Sequence, residues 1–156
     1  MTRTEILGAR GELEDLEAML ATLAALPGEV VVMRAAAVMG REHLLSAISH
    51  ARRAFSRGGN SARTLGVEVL LYLSGERQIS HALSQCGVAA GEKEFVILAI
   101  DSDGEAALAE MGWERDDSLL DLDEEKESRL QAEFPHLALP SQGLALEKVA
   151  MLEIIK

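Results

Sequence analysis

Residues 61–88 read SARTLGVEVLLYLSGERQISHALSQCGV, and the rest of the chain is best interpreted outward from them. Two short apolar-periodic segments stand back to back, divided at Ser74-Gly75, with Arg77 and Gln78 just past the break. Thr64 to Ser74 admits two readings. Val67, Val69, Leu71 and Leu73 alternate as a strand would, while Leu65, Val69 and Leu73 recur at helical spacing. Ile79, Ala82, Leu83 and Cys86 follow helical spacing, and Gly87 closes that segment.

Upstream, Ile6 to Arg10 reads as a first strand ended by Gly11. Glu12 to Leu26 reads as a helix with Leu13, Leu16, Leu20 and Leu23 on one stripe, acidic residues in its first turn, and Pro27-Gly28 as its stop. Val30 to Met33 is a β-branched run that predicts a short buried strand. Arg41 to Arg57 reads as a helix with Leu44, Ile48, Ala51 and Phe55 as its apolar stripe, ended at Gly58-Gly59-Asn60. Downstream, Glu94 to Asp101 (EFVILAID) is a near-continuous apolar run, the mark of a strand buried on both faces. Gly104 to Met111 predicts a short helix, Ser118 to Leu122 an edge strand, and Asp123 to Phe134 a charged helix. Pro135 to Gly143 reads as a loop, and Leu144 to Ile155 as a C-terminal helix. The expected fold is α+β: one domain spanning residues 1–156, with a small, mostly antiparallel sheet of three to four strands packed with about six helices.

Composition bounds what such a domain can do. A chain of 156 residues, 48% hydrophobic, has the length and apolar content for one core, and at 3% aromatic it must fill that core with aliphatic side chains and methionine. No apolar run approaches the ~20 residues of a membrane helix, and the start of the chain lacks a signal-peptide core, so a cytosolic location is expected. The single cysteine, Cys86, excludes an internal disulfide and any multi-thiolate zinc cluster. Its place on an apolar helical face suits a buried structural thiol.

The net charge is −11, which by itself speaks against nucleic acid, but the charge is unevenly spread. From Arg34 to Arg77 there are seven arginines (Arg34, Arg41, Arg52, Arg53, Arg57, Arg63, Arg77) against Glu42, Glu68 and Glu76, a sector of +4. The remainder carries eight basic and 23 acidic residues, −15. A basic sector made only of arginine suits bidentate phosphate contacts. A chain break followed by a helix start, with a cation beside it, is also an arrangement that receives anions. The bland alternatives are a solvated helix face and a tight helix–helix connection in which Arg77 caps carbonyls.

The pattern ARTL-x-x-EVLL-x-LSG-x-RQIS-x-AL-x-x-x-GV resembles the TPRKB-type family, the small kinase-binding accessory subunits of the KEOPS (EKC) complex, in an archaeal-like form. That complex makes threonylcarbamoyl-adenosine next to the tRNA anticodon. The resemblance implies a helix over Thr64–Ser74 and a non-catalytic protein without cofactors. It further implies two partners, the atypical kinase/ATPase of the complex and the single-stranded 3′ CCA end of tRNA, with other KEOPS subunits met indirectly. The positions matched to the tRNA-binding motif are Asn60, Ser61, Ser74, Gly75, Arg77, Gln78 and Ile79. Together with the arginines Arg52, Arg53, Arg57 and Arg63 they form the expected RNA surface. Few aromatics are available for base stacking, so arginine planes and aliphatic walls such as Ile79 take that part.

The C-terminal segment LALEKVAMLEIIK is apolar on more than one face and must bury the second face somewhere. The resemblance implies kinase docking there, through Leu146, Val149, Ala150 and Ile154; the bland alternative is a central core helix. Asp121 to Glu125 resembles the start of a calcium loop. It fails at Lys126, where glycine is needed, and at Ala132, where a bidentate glutamate is needed, so it reads as a solvated acidic face. His43 and His50 lie seven apart without a carboxylate on their face, a poor metal site. No nucleophile elbow, P-loop, HExxH or dinucleotide glycine pattern occurs. Two rival functions remain: a stand-alone RNA-binding protein without a kinase partner, and a small hydrolase or transferase using Cys86 or His81.

Overall fold

The computed structural model describes residues 2–136 and 139–155; Met1, Leu137, Ala138 and Lys156 lie outside them. The element order is β1 (Thr4–Arg10), α1 (Leu16–Ala24), β2 (Glu29–Arg34), α2 (Arg41–Ser56), α3 (Leu65–Ser74), α4 (Ile79–Cys86), β3 (Glu94–Ile100), α5 (Gly104–Met111), β4 (Glu114–Arg115), α6 (Glu124–Glu133) and α7 (Ser141–Ile155), with 3₁₀ turns at Ala35–Ala37 and Asp117–Leu120. The described residues thus form a four-stranded antiparallel sheet and seven α-helices, an α+β fold. They fall into two compact units, Met1–Ala36 with Gly87–Leu120, and Ala37–Cys86 with Asp121–Lys156.

The first unit holds the sheet, in strand order β2-β3-β1-β4. β3 pairs antiparallel with β1 (Leu7 opposite Ile97) and with β2 (Val32 opposite Ile97). That central position explains its unbroken apolar sequence: every residue from Phe95 to Ile100 is buried. On one face, Leu7, Ala9, Phe95 and Ile97 pack with Met19 and Leu23 of α1 and with Ala107 and Leu108 of α5. Trp113 completes this cluster by stacking on Phe95 at 4.1 Å between ring centroids. β2 is an edge strand, and its three valines are half-buried rather than fully enclosed.

Two local expectations for this unit are corrected. The first helix begins at Leu16, not Glu12. The amides of Gly11 and Leu13 bond instead to the carbonyls of Lys93 and Glu92, and Asp15 caps the helix by accepting from the Ala18 amide at 3.1 Å. The later start turns Met19 and Leu23 inward and leaves Leu20 exposed. Ser118–Leu122 is not an edge strand: Asp117–Leu120 is a 3₁₀ turn, and the edge pairing is made by Glu114 and Arg115 against Arg10 and Ala9. Local aspartates compete with the ladder there. The Asp116 carboxylate accepts from the Ser118 amide at 3.1 Å, and that of Asp117 from the Gly8 amide at 3.2 Å.

The second unit is helical. Its centre is α3, opened by Thr64, whose hydroxyl accepts from the Val67 amide at 3.3 Å. Gly66 and every residue from Glu68 to Ser74 are buried. Burial on all sides accounts for the ambiguous sequence pattern, because a helix enclosed by neighbours has no polar stripe to betray its period. α2, α4 and α7 pack around it. Glu68 is fully buried, and its carboxylate accepts the amides of Ser61 (2.9 Å) and Ala62 (2.8 Å), tying down the α2–α3 connection. A second cluster of Met39, Leu130, Leu144 and Ala145 joins α6 to α7. α7 begins at Ser141, three residues before the expected start.

Candidate docking and nucleic-acid surfaces

The break between α3 and α4 is a helix stop built on Gly75. Its φ of +73° lies in the left-handed region, and a Cβ there would also meet the Lys148 side chain at 3.0 Å. The amides of Gly75 and Glu76 both donate to the Leu71 carbonyl, at 2.9 and 3.2 Å. These two N–H groups are therefore not free for an anion. Ser74 is buried, its hydroxyl donating to the Leu71 carbonyl and accepting from the Glu76 amide. It does not line a surface. Glu76 also brings a carboxylate to this turn, held by Gln85 at 2.6 Å.

What the turn does present is Arg77, Gln78 and Ile79, all exposed. Arg77 donates through Nη1 to the carbonyl of Ile155 at 3.2 Å, so it caps the last turn of α7. Arg57, just past α2, donates to Glu153 Oε2 at 2.7 Å in the same turn. His50 Nδ1 meets Glu153 Oε1 at 2.9 Å. Burial pushes the Glu153 carboxyl up, but hydrogen bonds from His50, Arg57 and Tyr72 outweigh it and hold the group below the usual carboxylate range. Glu153 is a functional candidate that sequence reasoning missed, since nothing in an exposed-looking Leu-Glu-Ile run signals three partners from two other helices.

The remaining arginines divide by their partners. Arg41 pairs with Asp121 at 3.2 Å, and Arg34, in the sheet unit, pairs with Glu92 and donates to the Gly87 carbonyl. Arg53 donates to Ser49 at 3.0 Å, Arg52 is half-buried on α2, and Arg63 is exposed in the α2–α3 connection. Arg53, Arg63 and Arg77 have no carboxylate within ion-pair distance among the described residues. Asn60 uses its amide to bond the Ala62 carbonyl at 2.8 Å, a loop-shaping contact. Contacts in the second unit thus gather Arg57 and Arg77 at one place, with Arg53 one turn before Arg57.

α7 separates its apolar residues by face. Leu144, Ala145, Val149 and Leu152 are fully buried. Leu146, Ala150 and Ile154 recur every four residues on the outward side, with Ile154 83% exposed. Val149 is therefore corrected from a docking residue to a core residue: its side chain is enclosed within the unit. Met151 and Ile155 are also exposed, as are Ile79 and Leu83, one turn apart on α4. The Arg77 bond to Ile155 places the start of α4 within one side chain's reach of the end of α7.

Of the two candidate chemical groups, His81 is exposed, with Nδ1 3.7 Å from Glu76 Oε2. Cys86 is buried. His43 is buried, accepts the Met39 amide at Nδ1 (2.9 Å) and donates from Nε2 to the Leu73 carbonyl (2.9 Å). Burial lowers its pKa to about 4, against the raising effect of the Leu73 bond. His43 and His50 thus serve different partners, and no group of three or more His, Cys, Asp or Glu among the described residues is placed to hold a metal ion. No helix of the described residues is long and apolar enough to cross a membrane.

No curated protein matches the chain. The family model described as kinase binding protein CGI-121 matches residues 12–134, which takes in β2, β3 and β4 of the sheet, the Ser61–Val88 motif and α6. The chain belongs to this family of kinase-binding proteins, the KEOPS accessory-subunit family that its α3–α4 motif resembles.

Proposed function

We propose that this protein is a non-catalytic accessory subunit of a KEOPS complex, acting in the cytosol, that docks the atypical kinase through the outward face of α7. The observation that carries this reading is Ile154, 83% exposed in the last turn of α7, on the same helix as the outward Leu146, Ala150, Met151 and Ile155 of a member of a kinase-binding family. An apolar surface of this kind is costly to leave in water and suits a protein partner. A non-catalytic role is supported by His43 and Cys86, which are buried in structural roles, and by the kinase-binding character of the family.

The second part of the reading is recruitment of tRNA by its 3′ CCA end. Arg53, Arg63 and Arg77, which lack carboxylate partners among the described residues, support it, with Arg57, Asn60, Gln78 and Ile79 as neighbours on the same motif. Such a surface holds the tRNA while its anticodon loop reaches a catalytic subunit elsewhere, where threonylcarbamoyl-adenosine is made. The test is calorimetric titration of the chain and of Ile154→Asp with the KEOPS kinase of the same genome. The expected result is one-to-one binding by the parent chain and at least a tenfold weaker Kd for the variant, with unchanged circular dichroism. Equal affinity would refute docking through α7, and no binding by the parent chain would favour a stand-alone RNA-binding protein.

A further inference from the structure

We infer that the last turn of α7 couples the two surfaces, so that kinase docking strengthens the hold of Arg57 and Arg77 on RNA phosphate. This rests on the reading above and adds a regulatory link to it. Three consecutive residues, Glu153, Ile154 and Ile155, carry both ends of the link. Ile154 and Ile155 face outward as docking side chains, while Glu153 and the Ile155 carbonyl hold the two guanidiniums at 2.7 and 3.2 Å. Arg57 remains 54% exposed, so most of its surface faces solvent even while it is paired. A guanidinium has five N–H donors in a planar fork, and one bond to α7 leaves the others for a phosphate.

The terminal turn of a helix frays most readily, because its last carbonyls lack intrahelical N–H donors. When a protein surface covers Ile154 and Ile155, that turn is held, and with it the acceptors that orient Arg57 and Arg77. The ordering of two rotamer-rich side chains is then complete before RNA arrives, so RNA binding no longer bears that cost. At the low end of that cost for each arginine, tRNA affinity rises about fivefold in the presence of kinase, and kinase affinity rises by the same factor in the presence of tRNA. Glu153 is a positioning residue in this scheme. It reaches neither ligand, and it acts through Arg57, supported by His50.

The experiment measures Kd for a tRNA transcript ending in CCA, at one fixed salt concentration, with the chain alone and with saturating kinase, for the parent and for Glu153→Gln. Kinase alone with the same transcript serves as the reference for any RNA contact of its own. The expected outcome is about a fivefold gain on adding kinase to the parent chain, and a gain near twofold or less in Glu153→Gln. Binary kinase affinity should stay within twofold in the variant, which separates coupling from loss of fold. A gain equally large in Glu153→Gln overturns the inference, as does a parent gain of one or a competition between the ligands. Absence of either binary interaction instead counts against the proposed function itself.

Discussion

Lowering the pH toward 5 should destabilise this protein through one buried side chain, His43. Its two ring nitrogens are committed in opposite senses. Nδ1 accepts the Met39 amide and Nε2 donates to Leu73, which fixes the neutral tautomer. A second proton would turn Nδ1 into a donor facing a donor, in a site where desolvation already holds the pKa at about 4. The unfolded chain takes that proton near the ordinary value of about 6.5. Between the two values the unfolded state binds more protons, so stability falls as pH falls, beginning near 6.5 and levelling off below about 4. The full loss is about 3 kcal/mol, of which about 2 kcal/mol is gone by pH 5. That is a large share of the ~5–15 kcal/mol typical of a folded domain. Urea unfolding followed by circular dichroism from pH 7.5 to 4.5, at constant ionic strength, measures it directly. His43→Gln keeps a neutral polar side chain and cannot titrate, so its stability should vary by about 2 kcal/mol less than the parent over pH 7 to 5. The other three histidines are common to both proteins and cancel in the difference. Parallel profiles for the two would refute the reasoning.

The core assignment of Val149 predicts that Val149→Ala lowers stability by about 2 kcal/mol, seen as a lower urea midpoint, while leaving kinase affinity within twofold. A variant of unchanged stability with lost kinase binding would return Val149 to the docking surface. Arg77→Glu should weaken tRNA binding at least tenfold at low salt with circular dichroism preserved; equal affinity would remove Arg77 from the RNA surface. Cys86, fully enclosed in the α4 face, should resist alkylation by iodoacetamide in the native protein and react in urea, and rapid native labelling would revive the enzyme reading.

Much of this architecture was legible in the residue order alone. The run from Glu94 to Ile100 has to be a central strand because its apolar side chains alternate to both faces of a sheet. Asp103 before Gly104 and Gly112 after Met111 bound α5 through their own cap chemistry, as Asp123 opens α6, so these helices needed no tertiary information. The α3–α4 motif carried the family in the same local way. Where local signals competed with distant partners, tertiary structure decided. Gly11 and Leu13 look like the start of a helix and instead bond to the carbonyls of Lys93 and Glu92, some eighty residues away in sequence. A four-residue apolar repeat does not say which of two apolar faces turns inward, so Val149 and Ile154 were indistinguishable until α7 met its neighbours. Composition likewise showed seven arginines in one sector, and only the folded chain distributed their charge. Arg34 and Arg41 went to carboxylates, and Arg57 and Arg77 went to the end of α7, because ion pairs and caps form between groups that the backbone brings within 4 Å, not between groups close in sequence.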